Sequence, residues 1–319
     1  MKNVKNKKHG SCLVSSMILC VAIFAVALSA RAQPNQQVFS SPQEAVNALE
    51  KSVKTRDQIG LATIFGPRIG GILSGDPVAD RNGFEEFALN IGESSHLEQI
   101  GSDRFIVQIG PDKWPFAVPI VKTGAKWRFD TDAGIEELIN RRIGENEFAA
   151  ISLCQMYAIA QFEYFNGDDR DGDQVSEYAQ KISSSAGRKD GLYWARTSDD
   201  EEESPLGPLF AWAAFEGYTA KKGTVQSAAP FHGYRFKVVY RQGPSAPGGR
   251  FDYIINGNMI AGFALVAYPA TWGNSGVMTF IVNQEGRVYE QNLGPATATI
   301  AQAMTEYNPD ETWSLVDLY

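Results

Sequence analysis

Asp169-Arg170-Asp171-Gly172-Asp173 sets three carboxylates at alternate positions of one short segment. In a tight turn, such alternation converges oxygens on one hard cation, as positions 1, 3 and 5 of calcium loops do. Glu177, at the ninth position, adds a fourth oxygen directly or through water. Two residues depart from the EF-hand pattern. Gln174 stands where a glycine makes the sharp turn, and Gln180 stands where a bidentate glutamate closes the shell. The segment therefore predicts a partial calcium site on Asp169, Asp171, Asp173 and Glu177, or else an acidic loop turned to water.

Other residues with chemical potential are more scattered. His96 and His232 need a nucleophile or carboxylate within hydrogen-bond reach to catalyse, and no spacing supplies one. In Pro230-Phe231-His232-Gly233-Tyr234 the histidine precedes a strand, which predicts a structural hydrogen-bonder. Gly273-Asn274-Ser275-Gly276 carries its second glycine one residue too early for a nucleophile elbow and lies between two strands, so it reads as a hairpin loop. Trp114, Trp127, Tyr193, Trp194 and Trp212 line a cleft or fill the core, and core is the commoner place for aromatics. The loop Gly243-Pro244-Ser245-Ala246-Pro247-Gly248-Gly249 is too poor in charge to cradle phosphate. No catalytic or cofactor-binding residue is assigned.

The chain opens with a leader. Lys2, Lys5, Lys7 and Lys8 precede an apolar run from Cys12 to Leu28, and Ala30-Arg31-Ala32 has the small-x-small form of a signal-peptidase site. Residues 1–32 are thus expected to be a cleaved signal peptide, with an uncleaved membrane anchor and a lipid anchor as the alternatives; cleavage leaves an exported protein, periplasmic or secreted, with no stable membrane anchor. The chain has 29 basic and 37 acidic residues, and five of the bases (Lys2, Lys5, Lys7, Lys8, Arg31) lie in the leader. The mature protein then carries 24 bases and a net charge of −13, which repels nucleic acid and anionic lipid. Cleavage also removes Cys12 and Cys20. Cys154 remains alone, so the fold has no internal disulfide, and in a helical apolar stripe this thiol is a packing residue.

Elements that would hold these residues follow from periodicity. After a flexible polar arm at 33–40, Ser41-Pro42-Gln43-Glu44 starts a helix, a second runs from Gln58 to Phe65, and a third carries Phe84, Phe87, Ala88 and Ile91. Short β-type runs follow at His96–Ile100, Arg104–Ile109, Phe116–Val121 and Lys126–Asp130. The pattern turns helical again from Ile135 to Phe165, with a break expected at Gly144. Beyond the acidic loop 168–173 and a second loop at 195–204, Ser204-Pro205 opens another helix. Strands are expected at Tyr234–Tyr240, Phe251–Ile255, Met259–Ala267, Val277–Val282 and Arg287–Gln291, and a last helix at Pro295–Tyr307. The fold class is α+β, in two domains (41–131 and 132–319), each with helices packed on an antiparallel sheet.

Three sets of residues carry a resemblance: Asn140-Arg141-Arg142-Ile143-Gly144-Glu145-Asn146-Glu147; then Gly191-Leu192-Tyr193-Trp194 with Ser204-Pro205-Leu206-Gly207-Pro208; then Gly262-Phe263-Ala264-Leu265-Val266-Ala267 through Gly276-Val277-Met278-Thr279-Phe280. Together they resemble a family of exported bacterial proteins catalogued as a domain of unknown function, number 2950, over nearly the whole mature chain. That resemblance implies no activity. More coarsely, the first half resembles the cone-shaped fold of the nuclear-transport-factor-2-like superfamily, which implies a pocket between helices and sheet. The second half resembles the globular part of type IV pilins, without the prepilin cleavage junction. The expected function is a non-catalytic binding or structural module of the cell envelope, its partner an envelope protein or a small ligand. Two alternatives stand beside it: an enzyme with its site in the first-half pocket, and a component of a pilus-like or secretion assembly.

Overall fold

The computed structural model describes residues 36–167, 174–196, 198, 200–216 and 230–317. Local capping chemistry sets the first three helices. Ser41 accepts from the Glu44 N–H while the Glu44 carboxylate accepts from the Ser40 N–H (2.7 Å), starting α1 (Pro42–Lys54). Asp57 caps α2 (Gln58–Phe65), which stops at Gly66-Pro67 in a 3-10 turn, Gly66–Ile72. Asp76 accepts from the Val78 and Ala79 N–H groups to start α3 (Pro77–Glu93).

The first sheet is antiparallel throughout. It holds β1 (Ser95–Gln99), β2 (Arg104–Ile109), β3 (Trp114–Pro115), β4 (Ile120–Thr123) and β5 (Lys126–Phe129), in the order β1-β2-β4-β5 with β3 also on β2. The strand expected at Phe116–Val121 is broken. Opposite Ile106-Val107 the chain bulges through Phe116-Ala117-Val118-Pro119, and Pro115 and Pro119 have no N–H to give to a ladder. The arm expected to be flexible is docked over residues 36–40. Phe39 exchanges main-chain hydrogen bonds with Trp127, and the Gln36 amide donates to Phe129 O (2.7 Å). A buried ring and a satisfied amide outweigh the polar composition of that stretch.

One helix, α4 (Thr131–Phe165, 35 residues), runs from the first sheet into the second half. Gly144, expected to break it, is exposed and stays helical. A lone glycine costs a helix only about 1 kcal/mol, and the turns on either side of this one are anchored by side chains described below. Then come α5 (Gly207–Glu216), β6 (Tyr234–Val239), β7 (Arg241–Gln242), β8 (Phe251–Asp252), β9 (Ile254–Ile255), β10 (Asn258–Met259), β11 (Ala264–Pro269), β12 (Thr279–Asn283), β13 (Val288–Gln291), α6 (Thr297–Ala303) and β14 (Ser314–Leu315). The second main sheet has the antiparallel order β14-β13-β12-β11-β6. Every residue of β11 and β12 is buried; α4 packs on both strands and α6 packs on β11. Such strands lose the alternation of a half-exposed sheet and read as continuous apolar runs.

Two hydrophobic clusters result. One gathers residues between Phe39 and Phe129, the other residues between Ala150 and Tyr307. The chain is an α+β protein with helices packed on antiparallel sheets, and no helix among the described residues is long and apolar enough to cross a membrane.

Candidate functional site

The clearest concentration of polar chemistry among the described residues lies where α4 passes between the two clusters. The 271–276 segment closes on itself first. Ser275 Oγ accepts from the Thr271 N–H (3.0 Å) and the Gly273 N–H donates to Gly276 O (2.9 Å), which leaves the Asn274 amide pointing away from the turn. Arg142 Nη1 donates to Asn274 Oδ1 (2.7 Å) and its Nη2 donates to Ile72 O (3.1 Å). The Asn274 Nδ2 in turn donates to Ser74 O (3.1 Å), and the Ser74 N–H donates to Asp80 (2.7 Å). One guanidinium and one amide thus tie three segments that are distant in sequence.

The next turn of α4 continues the contact. Asn146 Nδ2 donates to Ser275 O (2.9 Å), and one oxygen of Glu147 accepts from the Val277 and Met278 N–H groups (2.8 and 2.9 Å). Arg142 and Asn146 lie four residues apart on one helix face, and Glu147 follows Asn146 about 100° further round the helix. Tyr234 OH closes the cluster by donating to Met278 O (2.7 Å). Gly233 (φ 69°) makes the tight turn before that strand, and a Cβ there would stand 2.5 Å from Asn146 Nδ2.

Electrostatics follow from partial burial. Burial lowers the Arg142 guanidinium, with Asp80 and Glu145 opposing that shift. Burial first, and then Glu147, raises the Glu290 carboxyl. Burial also pushes the Tyr234 hydroxyl up, reinforced by Glu147, Cys154 and Glu290. A carboxyl that holds its proton more tightly than usual, as Glu290 does, has the makings of a general acid. Equally, Glu147 can serve as a pure acceptor for main-chain N–H groups.

Of the expected metal ligands, Asp169, Asp171 and Asp173 lie outside the described residues. Glu177 is described, and one of its oxygens accepts from the Met259 N–H (3.0 Å). The chain leaving the acidic loop is firmly held there. Gln161 binds both the N–H and the C=O of Ala179 (2.8 and 2.9 Å), and Gln180 donates to Gly257 O (2.7 Å).

The remaining candidates do not converge. His96 is exposed on β1, and His232 (φ 44°) shares the two-residue turn between Phe231 and Tyr234. Cys154 is buried, and burial pushes its thiol up to about 12. Trp194 belongs to the second cluster and donates to Glu202 O, Trp127 packs on the first, and exposed Trp114 lies under the Arg141 guanidinium. The Trp212 side chain lies outside the described residues. The Gly243–Gly249 loop is held by Gln242, whose amide donates to Pro247 O and Gly249 O (2.5 and 2.7 Å).

Sequence reasoning selected Arg142, Asn146 and Glu147 only as members of a familiar stretch, and it read Asn274 and Ser275 as a plain loop. Their pairing joins positions well over a hundred residues apart, and no periodicity carries such information. The family described as "Protein of unknown function (DUF2950)" matches residues 36–316. No curated protein and no solved structure matches the chain.

Proposed function

The chain belongs to the family described as "Protein of unknown function (DUF2950)", and from its own geometry we propose a non-catalytic role: an exported structural or binding module of the cell envelope. One observation carries this reading. Arg142, Asn146 and Glu147, all from one stretch of α4, direct their hydrogen bonds to main-chain groups and to Asn274, and so build a junction between two cores. The space between helices and sheet in the first half, where the resemblance to cone-shaped folds implies a pocket, holds Phe39, Phe65, Phe116 and Phe129 with ring centroids 5.4–6.4 Å apart. Packing of that kind favours a rigid body over a reaction chamber.

A catalytic reading has one observation of its own, the raised Glu290 carboxyl beside Glu147. Glu147→Gln separates the two. Its amide oxygen still accepts from Val277 and Met278 but no longer carries a carboxylate. Complementing a deletion strain with this variant should restore the wild-type envelope (growth under osmotic or detergent stress). Failure to complement, with a native melting curve, would sink the structural role in favour of acid–base chemistry.

Export and calcium belong to the same proposal. Amino-terminal sequencing of protein recovered outside the cytoplasm should read from about Gln33; Met1 still attached would overturn cleavage. Asp169, Asp171, Asp173 and Glu177 would be the calcium ligands, with Glu177 positioned by the Met259 N–H. Titration calorimetry should then detect binding weaker than a complete EF-hand, with a Kd on the order of 10⁻⁴–10⁻³ M. Absence of both heat and any rise in melting temperature would remove the metal.

A further inference from the structure

Asparagine followed by glycine occurs at three places in the chain, Asn82-Gly83, Asn166-Gly167 and Asn256-Gly257. Asparagine is a thermolabile side chain, and a glycine after it leaves the next backbone nitrogen unshielded by any Cβ. That nitrogen, once deprotonated, can attack the carbon of the side-chain amide. The fold treats the three pairs differently. Asn82 and Gly83 lie inside α3, where the Gly83 N–H belongs to the helix ladder. At the end of α4 the Gly167 N–H donates to Tyr164 O (3.2 Å). In both places the nitrogen that would attack is already committed.

Asn256-Gly257 stands apart. Ile255 pairs with Asn258 and Ile254 with Met259, so these two residues alone make the turn between β9 and β10. Their φ values are 53° and 98°, the left-handed pair that a two-residue hairpin turn requires. Turn geometry is thus the reason this dipeptide stands here, and its reactivity comes with it. Both residues are exposed. Among the described residues, neither the Asn256 side chain nor the Gly257 N–H makes a hydrogen bond.

We propose that Asn256 is a modification site, where the folded protein deamidates without an enzyme. The Gly257 nitrogen gives its proton to hydroxide from solvent and bonds to the Asn256 side-chain carbonyl carbon. The bond from that carbon to the amide nitrogen breaks, and ammonia leaves. Water then opens the five-membered imide at either carbonyl, leaving aspartate or isoaspartate at position 256. Water is the only co-reactant, and nothing is oxidised or reduced.

The turn must leave its left-handed form before the nitrogen reaches the side-chain carbon. Resistance to that is small. Strands β9 and β10 have two residues each, and so short a two-stranded ladder adds little stability. The Gln180 amide holds the turn by donating to Gly257 O (2.7 Å). Opening is therefore a local event that leaves the second hydrophobic cluster closed. The product reaches further than its site. An isoaspartyl link adds one carbon to the main chain of a two-residue turn and so displaces Met259. The Met259 N–H donates to Glu177, and its C=O accepts from the Tyr178 N–H.

Incubation of the purified native protein in heavy-oxygen water at mildly alkaline pH, then digestion and mass spectrometry, tests this. The peptide bearing Asn256 should exchange its amide for a carboxyl carrying the labelled oxygen. It should also separate into two isomers, with isoaspartate the more abundant. Peptides bearing Asn82 and Asn166 should keep their amides several-fold longer. In denaturant all three should convert at similar rates, which assigns the difference to the fold. Gln180→Ala should speed conversion at Asn256 several-fold in the native protein and leave it unchanged in denaturant. Three outcomes would each overturn the proposal: a native Asn256 that keeps its amide while the denatured chain converts, a native Asn82 or Asn166 that converts as fast, or a folded Gln180→Ala variant no faster than wild type.

Discussion

In the first core, Phe129 meets Phe39 and Phe116 edge to face and Phe65 at a tilt, and the sheet beneath them turns one side to water. In the second, β11 and β12 are covered on both faces, and Gln161, Gln242, Thr279 and Asn283 lie fully or nearly fully buried among Tyr253, Tyr307 and Phe263. The contrast shows two ways of specifying a fold. Aromatic packing is tolerant of partner but sensitive to volume, whereas a buried amide is worth little unless both of its ends find partners. The first core should therefore suffer most from cavities, and the second from orphaned hydrogen-bonding groups.

The largest expected effect tests the first half of that statement. Phe129→Ala empties the centre of the aromatic group and should cost about 3–5 kcal/mol in denaturant unfolding. A loss under about 1 kcal/mol would mean that the neighbouring rings collapse into the space. Next comes Gln161→Ala, which strands the N–H and C=O of Ala179 and the hydroxyl of Tyr157. It should cost about 2–4 kcal/mol, and it should speed hydrogen exchange at Ala179 more than anywhere in the first core. If exchange there is unchanged, water replaces the amide and the contrast weakens.

Two smaller substitutions sharpen the same point. Tyr307 OH is buried without a hydrogen-bond partner among the described residues, so Tyr307→Phe should be neutral or stabilising by up to about 1 kcal/mol. A clear loss would reveal an ordered water in the second core. The smallest effect concerns pH. Burial and Glu147 raise the Glu290 carboxyl above its ordinary range, so the folded state holds that proton more tightly than the unfolded chain does. Its contribution to stability is complete below the ordinary carboxylate value and is lost as pH rises through the raised one. Glu290→Gln should therefore raise the melting temperature at pH 7 by about 1–2 °C and change nothing near pH 3. Equal melting curves at both pH values would refute the assignment.

The two halves also differed in how far they could be read from residues alone. Caps at Ser41 and Asp76 act through residues three or fewer positions away, so the helices they start were legible. The β2 and β5 boundaries were marked by Gly and Asp. The split of the expected Phe116–Val121 strand was missed because Pro119 lies inside that run and its missing N–H was not counted. Docking of Gln36 and Phe39 was missed because their partners, Phe129 and Trp127, lie at the far end of the first half. The junction at Arg142 was invisible for the same reason on a larger scale. Polar residues at helical spacing look like a solvated face until the chain returns with Asn274 to meet them.

The unbroken course of α4 through Gly144 carries an evolutionary consequence. Its early turns support one half and its later turns support the other, with Arg142 to Glu147 riveting the middle. A gene rearrangement that exchanged either half for that of a relative would have to cut this helix, and the cut would strip side chains from both sides at once. The halves should therefore be inherited together, and chimaeras spliced at residue 131 or 145 should express poorly beside chimaeras spliced in the 195–204 loop.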